Sequence, residues 1–185
     1  STKLMAENIL KDCAEKEGLA ITALRYFNPI GAHPSALIGE WSTGVPNNLV
    51  PFITQAAIGM RDELVVFGND YPTSDGTCVR DYIHVCDLAE AHVVALKALL
   101  DKKQPGFDCY NVGTGKGLSV LELIEAFEQY CEVKVPYRIG ARREGDVVMA
   151  YADTQKIEKT LGWKAQRNIK DMLLSAWKWQ QKLKP

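Results

Sequence analysis

The chain has 185 residues, of which 46% are hydrophobic and 24% are charged, and its formal net charge is −1. This length suits one domain or the rear part of a two-domain protein, and the near-neutral charge excludes electrostatically driven binding to nucleic acid or to an acidic membrane. No apolar stretch approaches the about 20 residues of a membrane span, and the five scattered cysteines form no C-x-x-C pair, so we expect a cytoplasmic protein with reduced thiols and no metal site.

Hydrophobic periodicity and turn residues predict helices that alternate with strands along the whole chain. Leu4, Met5 and Ile9 recur at helical spacing, whereas the nearly continuous apolar run after Gly18 is typical of a parallel strand buried on both faces. The predicted elements, in chain order, are a helix over 1–17, a strand over 20–27, a helix from Pro46 through Met60, strands over 64–68 and 79–85, a helix from Leu88 to Lys103, a strand over 109–113, a helix from Ser119 to Tyr130, a strand over 135–139, and helices over 154–161 and 168–183. This alternation indicates an α/β fold.

Capping residues mark two of the predicted helix starts. Ser119 and Glu122 form a capping-box pattern, and Asp87 is a candidate N-cap. The glycine-rich run from Gly113 to Gly117 fits neither G-x-G-x-x-G nor the Walker pattern, because Lys116 is followed by glycine. We interpret this run as a turn that lets the backbone pass into the next helix.

Several polar motifs allow both a structural and a functional interpretation. The run from Arg142 to Asp146 is either a solvated loop or a pyrophosphate clamp whose carboxylate meets ribose hydroxyls. Arg80 is either the internal partner of Asp81 or a phosphate ligand. The Asn47-Asn48 pair either caps a helix or holds a phosphate at its N-terminus. The histidines are isolated from one another, which favours a structural role for His33, His84 and His92.

The order of the motifs along the chain resembles one family. The segments that carry the likeness are Leu24–His33, Val45–Leu49, Val66–Tyr71, Asp75–Val85, Tyr110–Gly115 and Arg142–Asp146. The Asn-Pro-Ile-Gly-Ala-His and Asp-Gly-Thr-x-x-Arg-Asp-Tyr-Ile-His-Val runs are specific, and the likeness extends essentially from end to end. The sequence closely resembles the UDP-glucose 4-epimerase (UDP-galactose 4-epimerase) family of extended short-chain dehydrogenases/reductases.

The resemblance implies a division of the chain between two domains. Residues 1–33 and 75–113 match the C-terminal part of an NAD-binding, Rossmann-type parallel-sheet domain. Residues 34–74 and 114–185 match a smaller α/β domain that binds the UDP-sugar. Family members use a Tyr-x-x-x-Lys pair, of which Lys3 matches the lysine. We expect the tyrosine, two positions before Ser1, and the glycine-rich cofactor fingerprint to lie upstream of this chain.

The family reaction interconverts UDP-glucose and UDP-galactose through a 4-keto intermediate with tightly bound NAD. By resemblance, Lys3 bonds the nicotinamide ribose and lowers the pKa of the catalytic tyrosine, while Tyr26 and Phe27 line the nicotinamide side. Asn48, Leu49, Arg80 and Arg143 match phosphate-holding positions. The resemblance also places Asn28 beside the sugar and phosphates, Val65 and Phe67 at the uracil, largely through their backbone, Asp146 at the ribose, and Ala150 beside the sugar 2-position. The further candidate substrate-binding residues are Asn47, Val66 and Arg142.

The small side chain of Ala150 bears on substrate range, because family members carry either a bulky or a small residue at this position. We expect the complete enzyme to accept UDP-GlcNAc and UDP-GalNAc as well, and to form a homodimer. We expect the 185 residues alone to be inactive. The alternatives are a UDP-sugar-binding fragment without catalysis, a nucleotide-sugar dehydratase or decarboxylase of the same superfamily, and a fragment that complements a separate N-terminal chain.

Overall fold

A computed structural model describes residues 2–42, 44–102 and 106–183, and helices alternate with strands through these ranges. The helices are α1 (Thr2–Lys16), α2 (Leu49–Ala57), α3 (Val85–Lys102), α4 (Val120–Cys131), α5 (Gln155–Leu161) and α6 (Ile169–Lys182). The strands are β1 (Ala20–Tyr26), β2 (Asn28–Ile30), β3 (Leu64–Phe67), β4 (Val79–His84), β5 (Gly106–Val112), β6 (Gly117–Ser119), β7 (Tyr137–Gly140) and β8 (Met149–Ala150). The predicted α/β class is confirmed.

Parallel pairing dominates the sheets. β1 runs parallel to β5 with Ala20 opposite Gly106, and β3 runs parallel to β7 with Leu64 opposite Tyr137. β4 pairs with three strands, parallel with β2 and β8 and antiparallel with β6. Tyr82 of β4 packs in the cluster that contains α4 and α6, and the adjacent Ile83 packs in the cluster that contains Tyr110 of β5, so β4 links these two parts of the fold.

Two clusters of buried side chains hold these parts together. The larger cluster packs α2, α4 and α6 over β3 and includes Ile53, Leu123 and Phe127. The Phe127 ring meets the Trp177 ring edge-to-face, with centroids 5.6 Å apart. The smaller cluster lies between β4, β5, α3 and α5 and contains Ile83. The assignment of residues 1–33 and 75–113 to one domain and 34–74 and 114–185 to another stays a prediction.

The predicted capping box is confirmed, whereas two predicted helix starts are wrong. The Ser119 hydroxyl accepts from Glu122 N, and the Glu122 carboxylate accepts from Ser119 N. α2 begins at Leu49 and not at Pro46. α3 begins at Val85, so Asp87 lies in the first turn and is not the N-cap.

A histidine takes the position expected for Asp87. Nδ1 of His84 accepts from Cys86 N at 3.0 Å and so satisfies one free amide at the start of α3. Asp87 is 1% exposed and accepts from Gln166 N and Arg167 N, 3.1 and 2.9 Å away. Its partners lie about eighty residues downstream, which is why local spacing misassigned this carboxylate.

Three very short strands were not predicted, because β2, β6 and β8 have only two or three residues each and no measurable alternation. Ser1 and Lys103, the predicted ends of two helices, lie outside the described residues. Within the described part of the chain, no group of His, Cys, Asp and Glu side chains is arranged to hold a metal ion, and no helix is both long and apolar enough to cross a membrane. The five cysteines are free thiols.

Candidate nucleotide-sugar site

One cavity of about 310 Å³ collects most of the predicted substrate-binding residues. It opens between the start of α2, the strands β3 and β4, and the loop that follows β7. Ten of the predicted positions line it: Asn28, Asn47, Asn48, Leu49, Val65, Val66, Phe67, Arg80, Arg143 and Asp146. These residues come from five separate stretches of sequence, so the fold brings the motifs to one place.

Two arginines at the rim of this cavity share one carboxylate. Asp146 Oδ1 accepts from Arg143 Nη2 at 2.7 Å and lies 3.6 Å from Arg80 Nη2. The bond to Asp146 raises the pKa of Arg143 above its ordinary value. Since two guanidiniums face a single carboxylate, one positive charge is left over. Forked guanidinium donors beside an open cavity suit a diphosphate.

Arg142, the other arginine of the motif, is not part of this cluster, and its substrate-binding role stays a prediction. Its Nε donates to Asp70 Oδ1 at 2.6 Å, and its guanidinium stacks 4.1 Å from the centre of the Tyr71 ring. Arg142 is absent from the cavity lining. Asp70 and Tyr71 therefore hold Arg142 away from the cavity, while its neighbour Arg143 faces it.

Ala150 also lies outside the lining, but it is close to it. It belongs to β8, where it stands opposite Arg80 in the parallel pairing with β4. Its side chain is half-buried. A larger side chain at this position would meet the neighbourhood of Arg80 directly.

The predicted nicotinamide-side residues form a second group at the carboxyl end of β1. Lys3 Nζ lies 5.9 Å from the centre of the Tyr26 ring, and Tyr26 faces His92 with centroids 6.4 Å apart. Phe27 N donates to Val112 O at 3.1 Å, which continues the β1–β5 pairing. None of Lys3, Tyr26 and Phe27 lines the cavity. Asn28, the next residue, does line it, so the two groups adjoin along the chain.

Some lining residues were missed, although period-based reasoning can find three of them. Phe52 follows Asn48 by one helical turn of α2, and Tyr82 follows Arg80 by two residues on β4. Leu64 precedes Val66 by two residues on β3, so each of the three shares a face with a predicted residue. The other missed residues reach the cavity through tertiary packing: Arg61, Glu63, Cys78 and Val120.

The backbone amides of the glycine-rich turn after β5 bind the carboxylate of Asp81. The buried Asp81 carboxylate accepts from Thr114 N at 2.9 Å, from the Thr114 hydroxyl at 2.6 Å and from Gly115 N at 2.9 Å. Ala152 N donates to the same carboxylate at 3.1 Å. A Cβ on Gly113 would lie 2.5 Å from Asp81 Oδ2. The turn amides are thus already occupied, which agrees with the interpretation of this run as a structural turn.

The histidines also have structural partners. Besides accepting from Cys86 N, the buried His84 places Nε2 3.2 Å from the Ser175 hydroxyl of α6. Burial lowers the pKa of His84 below its ordinary value, and the Arg167 guanidinium lowers it further. His33 Nδ1 lies 2.8 Å from the Ser35 hydroxyl, and His92 Nδ1 lies 2.9 Å from Leu88 O.

A family model described as GDP-mannose 4,6 dehydratase matches residues 1–175. The chain belongs to this family. The description of this family model names a dehydratase, whereas individual relatives are named epimerases.

Several curated relatives are UDP-glucose 4-epimerases. The protein from Bacillus subtilis (strain 168) is 53% identical over 181 residues, which are 97% of this chain and 52% of that protein. The protein from Drosophila melanogaster is 52% identical over 180 residues, which are 97% of this chain and 51% of that protein. The resemblance inferred from the motifs is therefore confirmed. The chain spans about half the length of the curated relatives it matches.

Solved structures agree with the sequence relatives. The UDP-glucose 4-epimerase of Stenotrophomonas maltophila, with bound NAD and formylated UDP-arabinopyranose, is 52% identical with a TM-score of 0.93 over 98% of this chain and 54% of that one. The enzyme of Bifidobacterium longum, in complex with NAD+ and UDP, is 48% identical with a TM-score of 0.92 over 97% of this chain and 53% of that one. The Rossmann-like α/β fold of this chain is that of these epimerases.

Proposed function

We propose that this chain carries the UDP-binding cavity of a UDP-glucose 4-epimerase, which interconverts UDP-glucose and UDP-galactose in the cytoplasm through a 4-keto intermediate. The observation that carries the proposal is the cavity in which Asn48, Leu49, Arg80, Arg143 and Asp146 meet. These residues match, one by one, the nucleotide-binding positions of the family. The same activity in relatives that are more than half identical supports the proposal.

The reaction requires that the UDP stays fixed while the keto-sugar turns over. Arg80 and Arg143 supply charge-assisted bonds to the diphosphate, each contributing roughly 1.5–3 kcal/mol. Both guanidiniums are held by Asp146 before the ligand arrives, which reduces the cost of ordering them. Val65 and Phe67 on β3 line the cavity, and their backbone would contact the uracil. Strong anchoring at one end leaves the sugar free to rotate.

NAD is the cofactor of the proposed reaction, and the residues at the carboxyl end of β1 fit part of it. The exposed Lys3 and Tyr26 lie near each other, and an ammonium group suits ribose hydroxyls while an aromatic edge suits the nicotinamide. Bound NAD would take up a hydride from the sugar and return it. In the complete enzyme, the positive charge of Lys3 would lower the pKa of the catalytic tyrosine of the family and so favour proton removal from the sugar hydroxyl.

We expect the 185-residue chain by itself to bind UDP without epimerising UDP-galactose. Calorimetry with UDP and chromatography of the nucleotide-sugar products test both parts. Absence of UDP binding would overturn the proposed cavity, and turnover by mass-verified material would overturn the proposed inactivity. Chromatography of NAD released on denaturation shows whether the cofactor site is complete.

Substrate range is a finer part of the proposal. Because Ala150 is small and stands opposite Arg80, the complete enzyme is expected to accept UDP-GlcNAc and UDP-GalNAc as well as UDP-glucose and UDP-galactose. Ala150→Tyr should suppress N-acetylhexosamine turnover about tenfold or more while sparing UDP-galactose turnover. Steady-state kinetics on both substrates measure this. An equal loss for both substrates would contradict the assignment.

A nucleotide-sugar dehydratase is the second candidate, favoured by the name of the matching family model. The two reactions leave different products, since a dehydratase releases a deoxy keto-sugar and an epimerase releases a hexose of unchanged composition. Mass analysis of products made by the complete protein separates them. A product lighter than its substrate by one water would favour the dehydratase.

We propose that the complete enzyme is a homodimer. The support is the exposed apolar face of α1, on which Leu4, Met5 and Ile9 are each about 60% exposed. Exposed apolar clusters of this kind mark contact surfaces. Sedimentation of the complete enzyme tests the proposal, and a monomer at micromolar concentration would contradict it.

A further inference from the structure

Two helices of this chain have an asparagine at the N-cap position, and only one asparagine acts as a cap. Asn168 precedes α6 with φ −89° and ψ 175°, and its side chain accepts from Asp171 N at 3.1 Å. Asn48 precedes α2 with φ −99° and ψ 151°, yet its side chain makes no capping bond. Since asparagine is among the strongest N-cap residues, some feature holds Asn48 away from α2.

Two features explain the difference. The third helical residue of α2 is Pro51, which has no N–H for the cap to bind, so only Val50 N remains as a capping partner. In addition, Nδ2 of Asn48 donates to Glu40, 3.2 Å from Oε1 and 3.4 Å from Oε2. A carboxylate only accepts hydrogen bonds, so Glu40 also fixes which end of the amide faces it.

Glu40 is itself held in place by α6. Trp179 Nε1 donates to Glu40 O at 2.8 Å. The Trp179 ring lies so close to Gly39 that a Cβ there would be 2.5 Å from it. Glu40 does not line the nucleotide cavity, whereas Asn48 does. The carboxylate therefore reaches Asn48 from outside the cavity, on a backbone that Trp179 of α6 contacts.

We propose that Glu40 is a positioning residue for diphosphate binding. It holds the Asn48 side chain away from α2, which leaves the first amides of the helix uncapped at the cavity, where they can donate to phosphate oxygens. It also orients the second N–H of Asn48. This inference rests on the proposed function, because the phosphate groups are those of the UDP-sugar.

The negative charge of Glu40 has an opposing effect, because a carboxylate near a phosphate repels it. Two substitutions separate position from charge. Glu40→Gln removes the charge and keeps an acceptor for Asn48, whereas Glu40→Ala removes both. If positioning dominates, the glutamine variant binds UDP at least as tightly as the parent chain, and the alanine variant binds it about tenfold more weakly.

Calorimetry with UDP and with uridine on the 185-residue chain decides between these effects. Uridine lacks the diphosphate, so its affinity should be the same in the parent and in both variants. Glu125→Ala is the matched control, because Glu125 is an exposed carboxylate on α4 outside the cavity. Equal or tighter UDP binding by Glu40→Ala, or an equal loss for uridine, would overturn the positioning role.

A measurement without ligand tests the same inference independently. Once Glu40 is removed, Asn48 is free to cap α2, and hydrogen exchange at Val50 N should slow by about fivefold or more in Glu40→Ala. Unchanged exchange would refute the role of Glu40. If the parent chain fails to bind UDP, the proposed function is wrong, while the exchange result still decides whether Glu40 controls Asn48.

Discussion

Two predicted helices of this chain, α1 from its apolar spacing and α4 from its capping box, have opposite surroundings. α4 buries Leu123, Ile124 and Phe127 against α6 and the strands beside it. α1 buries only Ala14, and Leu4 at its start is 60% exposed. Periodicity therefore indicates a helix and its apolar face, but the partner of that face depends on the rest of the assembly.

α1 makes polar contacts with the strands beside it. Glu7 accepts from both Arg25 Nε and Nη2, and Lys11 Nζ lies 5.6 Å from the centre of the Phe107 ring. These contacts connect α1 to β1 and β5. The bond from Arg25 lowers the pKa of Glu7. Because the Arg25 side chain is about half exposed, this ion pair adds little to stability.

The same substitution in the two helices gives the largest expected contrast. Leu123 is fully buried, so Leu123→Ala should lower the free energy of unfolding by about 2–5 kcal/mol through lost burial and a cavity. Leu4→Ala should change it by less than about 0.5 kcal/mol. Urea unfolding of both variants measures the difference. A large cost for Leu4→Ala would mean that the α1 face is covered in solution.

Asp81 on β4 bonds both the turn after β5 and the backbone of Ala152. Its replacement by asparagine, which has the same shape, should have the next largest effect on the free energy of unfolding. Asp81→Asn places an amide NH₂ among N–H donors that now meet a carboxylate, including Gly115 N and Ala152 N. We expect a loss of about 2–3 kcal/mol in unfolding free energy. Asp12→Asn on the exposed surface of α1 is the control and should be neutral. Equal stability of the two variants would show that the Asp81 network adds nothing.

The sequence alone predicts those features that depend on near neighbours. Ser119 and Glu122 are three residues apart, so their capping box is visible without the fold. Asp87 was misassigned because its strongest partner, Arg167, is eighty residues away. Short strands such as β8 exist only because β4 offers them a partner, and nothing in two residues can signal that.

The residues of the candidate site also divide into those that the sequence predicts and those that depend on distant partners. Resemblance assigned Asn48, Arg80 and Arg143 to one ligand, and the fold brings them to one cavity. The motif itself could not predict which of Arg142 and Arg143 faces the cavity. That depends on Asp70, which bonds Arg142 and lies more than seventy residues earlier. Glu40 carried no signal at all, since its role depends on a hydrogen bond to a side chain that spacing predicts to be a helix cap.

The stability of the chain should also depend on pH, through His84. This residue ends β4 and is buried against Ser175 of α6. Its charged neighbours are Arg167, Asp87, Asp171 and Glu90. Burial and Arg167 lower the pKa of His84 in the folded state, so the unfolded chain binds more protons once the pH falls below about 6.5. The stability contributed by neutral His84 is therefore present above that pH and decreases below it.

Urea midpoints at about pH 7.5 and about pH 5.5 measure this dependence. The midpoint of the parent chain should fall more than that of His84→Gln, which cannot take up a proton at this position. The comparison cancels the contribution of the carboxylates that titrate in both proteins. An equal fall in both proteins would assign the pH dependence to other groups.

The smallest expected contrast again compares one residue type in two places. Asn168→Ala removes a working cap from α6 and should cost about 1 kcal/mol of unfolding free energy. Asn48→Ala should cost only a few tenths of that, because Asn48 makes no capping bond to α2. The order of the two variants should reverse for UDP affinity. Asn48→Ala should weaken UDP binding, whereas Asn168→Ala should leave it unchanged. If Asn48→Ala costs as much stability as Asn168→Ala, then Asn48 caps α2 in solution and its amide is not reserved for the ligand.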